Sequence, residues 1–490
     1  MSVGKTASLA QAALRQLITD GPWVGVVLVA AAIGQWIVFH DGATPIVSSD
    51  GLLYLSDAHA LPALQGLVDP RVPPGYPLLL AGIFIVAGRD NLDAVMIVQG
   101  VLFLAAILEL YWLLASFGVH RVLCATVVSL LAAAPWLVQW ERFILTETIS
   151  FWAVITLFVA YTQLLRRPTW GSALVCGAIG ASIPFTRPAL SLVPAMLVLV
   201  LLLRSVITRR VGAMNAPAWT ALVFGLASYV PVGAYIAGNA AVNGCYCYTS
   251  ISNLNLFGKI YEYGMKDFPA DTQFAAIAEN VRAADSINRF LESNPQFEAQ
   301  NYAPLGAFAR SQFLKYPSFT IKASVREIKR VLTLDIDHAV LLAHPYACRN
   351  DPNMPYPLLT GDAIQASDVP YCPKTTVSVG KLGEDVNRAI YFVVFLTYVV
   401  LPLSLALGVA LVFAKPKRER AWLLMATSAV VASVIVSSSL AGYTAFDRLK
   451  VPVDGIALTA AVLMVGELWF LLSEVRRTVR LRRVARPQSA

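Results

Sequence analysis

Apolar runs of membrane-crossing length alternate with short polar connections along most of the chain. Crossing about 30 Å of hydrocarbon takes roughly 20 apolar residues. Runs approaching that length fall at residues 23–39, 92–114, 122–138, 149–165, 172–185, 190–203, 219–239, 390–413, 421–442 and 453–472. The pattern predicts an all-α integral membrane protein, a bundle of about ten transmembrane helices. The fifth and sixth runs are short and turn about Pro184 and Pro188, so one re-entrant hairpin is the alternative for that pair. No A-x-A-like cleavage site follows the first run, which therefore reads as a span and not as a removable leader.

Residues 76–88, YPLLLAGIFIVAG, are apolar throughout but only 13 in number, the length of an interfacial segment. They are placed on the outer leaflet, inside one large outer loop covering residues 40–91. Residues 244–388 are the only long polar stretch, and within it DTQFAAIAENVRAADSINRFLES has a helical period with charges on one face. The chain thus divides into an N-terminal membrane module (1–243, first outer loop included), a small extracytoplasmic insert (244–388), and C-terminal membrane helices with a basic cytoplasmic tail (389–490). No internal repeat, low-complexity tract or heptad run is present.

Composition agrees: of 490 residues 57% are hydrophobic and 14% charged, with mean hydropathy +0.63. A soluble domain usually carries about a quarter charged residues. The net charge of +8 does not mark a nucleic-acid surface, because the basic residues occur as short clusters between apolar runs. Lys5 and Arg15, His120 and Arg121, Arg166 and Arg167, Arg204 with Arg209 and Arg210, residues 415–420 and residues 476–486 all fall on one side if the spans alternate. That side is cytoplasmic by the positive-inside rule, with both termini inside.

Four of the six cysteines, Cys245, Cys247, Cys348 and Cys372, lie in the outer insert, where an oxidising compartment permits disulfides and four cysteines allow three pairings. Cys245 and Cys247 are close for a mutual bond, so each is expected to reach Cys348 or Cys372. A zinc site lacks the usual C-x2-C spacing. Cys124 and Cys176 sit in spans as packing residues.

Asp50 and Asp57, in SSDGLLYLSDA, stand just beyond the first span. Ionisable groups near membrane depth cost a few kcal/mol unless they face a cavity or a partner, which favours a wet site opening at the outer leaflet. The ordered series SDGLLYLSDA, PPGYPLLLAGIFIVAG, QGVLF, AAAPWLVQWERFILTETISFW and IPFTRPALSLVPAML resembles the GT-C glycosyltransferases of the protein O-mannosyltransferase and aminoarabinose transferase group. The resemblance covers residues 23–203 well and the remainder only in layout.

It implies a GT-C-like bundle with amphipathic helices in the first outer loop, and transfer of a sugar from a polyprenyl-phosphate carrier to an acceptor at the extracytoplasmic face. By that similarity Asp50, four residues before Tyr54, falls on the catalytic aspartate, and Glu147 of LTET on the second acidic position. The chemistry fits independently: transfer needs a carboxylate to take the acceptor proton and cations to steady the departing phosphate. Arg187 in FTRP and Arg448 with Lys450 in FDRLKVP are the cationic candidates, with His59, Arg71 and Arg142 as weaker ones, and Tyr54 and Arg71 stand among the substrate-binding residues.

Plainer readings stand beside these. Asp50 is also a preferred helix N-cap, and Asp57 a solvated loop residue or a partner for Arg71. Glu147 can merely flank its span, Arg187 can neutralise a carboxylate, and Glu141 and Arg142 can pair with each other. Arg448 and Lys450 can simply snorkel. Pro73, Pro74, Gly75 and Tyr76 shape the loop. Asp335, Asp337 and His338 read as a solvated element end; no metal is assigned, and a divalent cation is left open. The expected partners are a polyprenyl-phosphate sugar donor, a glycan, lipid or protein acceptor (lipid A, lipopolysaccharide and cell-wall glycan among them) and the bilayer, with no nucleic acid. Alanine- and arginine-rich usage fits a bacterial inner membrane, with the site facing the periplasm or cell exterior. The rival classes are a transporter or lipid flippase and an O-antigen ligase or polymerase, which the lack of a repeat and the early position of the motifs disfavour.

Overall fold

A computed structural model describes residues 3–40, 45–47, 49–63, 67–210, 218–297, 302–331, 380–414, 418–441 and 446–484. In chain order the helices are α1 (Val3–Phe39), α2 (Ser49–Ala60), α3 (Gly75–Ala87), α4 (Leu92–Ser116), α5 (Arg121–Ala132), α6 (Pro135–Val138), α7 (Glu147–Arg166), α8 (Trp170–Thr186), α9 (Leu192–Arg210) and α10 (Ala218–Asn243). Then follow α11 (Ile251–Glu262), α12 (Ala275–Ala283), α13 (Ile287–Ser293), α14 (Ala303–Lys315) and α15 (Pro317–Val331), and finally α16 (Gly380–Val399), α17 (Leu401–Ala414), α18 (Glu419–Ala441) and α19 (Phe446–Val484). Among the described residues there is no strand, and the chain is an all-α multi-pass membrane protein.

Seven helices among the described residues are long and apolar enough to cross a membrane, and nine if each of two bent pairs is one span. The bends fall where the sequence reads as continuous apolar runs. Between α5 and α6 the axis turns by 56°, with Pro135 opening α6; between α16 and α17 it turns by 45°, with Pro402 in the first turn of α17. Proline has no N–H to give and disfavours helical geometry in the residue before it, so each run breaks there.

The expected short pair about Pro184 and Pro188 also resolves differently. α8 has only 17 residues, but the next span runs over Pro188–Thr208, 21 residues, long enough to cross alone. α8 packs chiefly along α10 and α7 instead of folding back on α9. Gly177 and Gly180 make that approach possible: a Cβ on Gly177 would meet the Phe224 carbonyl at 3.0 Å, and one on Gly180 would meet Ser228 Oγ at 2.6 Å. Small residues at the interface let helix backbones close in where no hydrophobic force drives association.

α7 and α18 form the centre, each with 72% of its apolar window buried, whereas α1 and α10 turn most of their surface outward, at 28% and 22%. α2 and α3 lie against the start of α4 and of α7 in an apolar cluster of their own, which includes Leu52, Leu55, Tyr76, Leu80, Ile144 and Ile149. The insert helices α11–α15 share a third core around Phe257, Phe290, Leu305 and Phe308, and α11 and α15 rest on α18.

Cys245 and Cys247 are joined to each other, not to Cys348 or Cys372, which lie outside the described residues. The Cys247 N–H bonds back to the Cys245 carbonyl at 2.8 Å, and this tight turn brings the two Cα atoms to 5.2 Å, within the usual disulfide range. Cys124 and Cys176 are buried free thiols, as their place in apolar spans suggests.

Candidate functional site

The site is organised by one isolated β-bridge. Ile46 and Phe143 run in parallel: the Ile46 N–H donates to the Arg142 carbonyl at 2.7 Å, and the Ile144 N–H to the Ile46 carbonyl at 2.9 Å. Four residues beyond each bridged position stands an acid, Asp50 in the first turn of α2 and Glu147 as the first residue of α7. Because the two segments run the same way, both carboxylates emerge at one end of the bundle. Each sits where the positive end of a helix dipole favours it. Asp50 is half-buried; Glu147 is fully buried.

Glu147 is charge-paired. Its Oε1 lies 3.0 Å from Nη1 of Arg187, itself 5% exposed, and the same Nη1 lies 3.4 Å from Thr146 Oγ1. Arg187 caps the end of α8 in an extended conformation with its N–H bonded to the Ile183 carbonyl. Arg187 therefore neutralises a carboxylate, one of the two roles its position allows, and does so at the head of α7.

The PPGY turn locks this corner. A Cβ on Gly75 would lie 2.5 Å from the Phe185 carbonyl oxygen, so the N-terminus of α3 sits flush on the end of α8, next to Arg187. Tyr76 is fully buried and donates through Oη to Gln99 Oε1 at 3.1 Å; Gln99 Nε2 donates to the carbonyls of Glu141 and Phe143, both at 2.9 Å. Tyr54, one turn after Asp50 on α2, meets Tyr76 edge to face with ring centroids 5.1 Å apart. Tyr54 thus ties α2 to the buried Tyr76–Gln99 pair.

Asp50, Tyr54 and Asp57 share a face of α2, being four and seven residues apart. At its far end Arg71 bonds Asp69 at 2.7 Å and Asp57 at 3.2 Å. Of the alternatives for Asp57, the structure selects the partner of Arg71. Burial pushes the Asp57 carboxyl up to about 7; the Asp69 charge adds to the rise and Arg71 opposes it. The hydrogen bond with Asp69 holds the Arg71 guanidinium above its ordinary value. The guanidinium is engaged by two carboxylates, and its backbone carbonyl accepts from Thr249 Oγ1 at 2.6 Å.

Other candidates fall elsewhere. Glu141 does not pair with Arg142: both its oxygens accept from Gln35 Nε2, at 2.7 and 2.8 Å, and it packs over Gly100. The Arg142 guanidinium lies over the Phe39 ring at 5.9 Å. Gln35, one helix turn before Phe39, reaches Glu141 first. His59 bonds Asp90 at 2.5 Å. Arg448 and Lys450 fall in the first turns of α19 with side chains outside the described part, and Asp335, Asp337 and His338 lie outside the described residues. Among the described residues no group of three or more His, Cys, Asp or Glu converges to hold a metal.

Four supporting positions escaped the sequence reading. Gln99 is a lone amide in an apolar run, and that isolation is the signal. Tyr235, Asn239 and Asn243 recur every four residues on α10. Tyr235 Oη donates to the Asp69 carbonyl at 2.5 Å, Asn243 to the Val68 carbonyl at 3.0 Å, and Asn239 to the Cys247 carbonyl at 3.2 Å. This stripe pins both the segment before α3 and the disulfide turn to α10.

No family model matches the chain, and no curated protein matches it. Among solved structures it is similar to an oligosaccharyltransferase from Archaeoglobus fulgidus, solved tethered through a disulfide bond to an acceptor peptide containing the NVT sequon. The identity is 12% and the TM-score 0.44, over 94% of this chain and 51% of that one. The chain spans about half the length of that protein.

Proposed function

We propose that this protein is a membrane glycosyltransferase of the GT-C kind, moving a sugar from a polyprenyl-phosphate carrier to an acceptor hydroxyl at the extracytoplasmic face. The observation that carries the reading is the parallel bridge that brings Asp50 and Glu147, each opening a helix, to one end of the bundle beside Arg187. Asp50 is the general base. As the acceptor oxygen bonds to the sugar C1, the bond from C1 to the phosphate oxygen breaks, and its electron pair leaves on the carrier as polyprenyl phosphate. The acceptor proton passes to Asp50. Direct displacement of this kind inverts the configuration at C1.

Glu147 acts through position, held at the corner by its pairing with Arg187, and Arg448 with Lys450 supplies positive charge for the departing phosphate. Tyr54 packs on Tyr76 one turn beyond Asp50, placed to meet the substrate, and Arg71 fixes the loop that follows α2. The insert reaches this loop through Thr249, which makes residues 244–388 the part suited to select the acceptor. The gathering of Arg121, Arg166, Arg204, Arg418 and Arg420 at the opposite end supports an outward-facing site, since basic ends stay in the cytoplasm.

The test uses purified protein with a polyprenyl-phosphate sugar and a mixed acceptor extract. Release of free polyprenyl phosphate, with inverted linkage in the product, is the expected result. Movement of the carrier across a vesicle membrane without sugar loss would instead identify a flippase.

A further inference from the structure

At the other end of α7 from Glu147, about 30 Å away at 1.5 Å per residue, three helix ends meet around a cleft of about 510 Å³. The C-terminus of α4 contributes Phe117 and Gly118, α7 contributes Arg166, and the start of α18 contributes Arg418, Glu419 and Arg420. Arg166 donates to the Ser116 carbonyl at 2.7 Å, pairs with Glu419 at 3.3 Å and lies over the Phe117 ring at 4.7 Å. Arg418 pairs at 3.0 Å with Glu467, a fully buried carboxylate of α19, and stacks 4.0 Å above Phe470.

Arg420 differs from both. It makes no ion pair among the described residues, and its Nη2 lies where a Cβ on Gly118 would come within 2.6 Å, so the guanidinium rests directly on the left-handed glycine (φ 69°). Two of the three arginines are thus balanced by carboxylates and the third is not. Arginine forks match phosphate oxygens two at a time.

Next to Phe470, over which Arg418 stacks, Trp469, Leu472 and Val475 of α19 are 70%, 55% and 60% exposed and form an apolar strip. A basic cleft between membrane helices, with an exposed apolar strip beside it, has the chemistry of a lipid headgroup site. We propose that this cleft binds the phosphate of an anionic membrane lipid, with Arg420 as the contributing free charge and the acyl chains along α19.

The experiment uses the full-length protein in nanodiscs of phosphatidylcholine with or without phosphatidylglycerol, and reads retained lipid by native mass spectrometry. Arg420→Gln removes no ion pair, so the fold is expected to persist, checked by an unchanged melting midpoint in pure phosphatidylcholine. Wild type retains phosphatidylglycerol preferentially, and Arg420→Gln weakens that retention about fivefold, the factor for one arginine near an anionic surface; Arg420→Lys is intermediate. Equal retention of phosphatidylglycerol by wild type and Arg420→Gln would overturn the proposal. So would Arg420-dependent binding of inorganic phosphate in detergent with no preference for phosphatidylglycerol over phosphatidylcholine, which would mark a soluble anion site.

Discussion

Glu147 and Arg187 form a buried charge pair that joins the start of α7 to the end of α8. A buried pair contributes little net stability against an apolar replacement, but stranding one partner costs about 3–5 kcal/mol. Arg187→Met is therefore expected to destabilise the protein by roughly that amount, while the double change Glu147→Gln with Arg187→Met recovers most of the loss; denaturant unfolding in detergent checks both. Asp57 gives a pH signature. Its carboxyl rises from 3.8 to about 7 on folding, so the folded state binds the extra proton. That contribution is complete below about pH 4 and is lost as pH climbs through 7. Wild type is expected to lose more thermal stability than Asp57→Asn between pH 5 and pH 7.5. Equal slopes in the two proteins would contradict the buried, carboxylate-flanked environment. The sequence already named both aspartates and Arg71 as a partner for Asp57. It did not reveal that Glu141 would turn to Gln35, because that contact joins helices far apart in the chain.

At the level of elements, Gly75 joins the start of α3 to the end of α8. Any side chain there meets the Phe185 backbone, which no rotamer change relieves. Gly75→Ala is expected to lose about 1–3 kcal/mol and to reduce turnover by displacing Tyr76 and the end of α8, with Gly82→Ala, which meets nothing within 4 Å, as the control. The disulfide gives a second check. Non-reducing digestion is expected to yield one peptide holding both Cys245 and Cys247, lighter by two hydrogens than its reduced form; a peptide linking Cys245 to Cys348 would contradict the pairing. The sequence weighed spacing alone here and missed the local turn. Likewise, apolar length located the spans but not their bends, since Pro135 and Pro402 act on backbone geometry inside runs whose hydropathy never falters.

Across the whole molecule the two ends differ in chemistry. One gathers Asp50 and Asp57 of α2 with Glu147 and Arg187; the other gathers the arginines of α5, α7, α9 and α18. Hydropathy and charge clustering made that polarity legible from the sequence. The parallel bridge was not, because only folding brings residue 46 beside residue 143. A cysteine placed at Leu67, an exposed loop position, is expected to react with a membrane-impermeant maleimide in intact cells, and labelling only after lysis would reverse the orientation. Transfer as proposed requires Asp50 to take the acceptor proton. Its most direct test is the rate of polyprenyl-phosphate release by Asp50→Asn against wild type, at matched fold and donor concentration. A loss of about a hundredfold or more, the scale of general-base catalysis, is the result expected, whereas turnover at the wild-type rate would contradict the account.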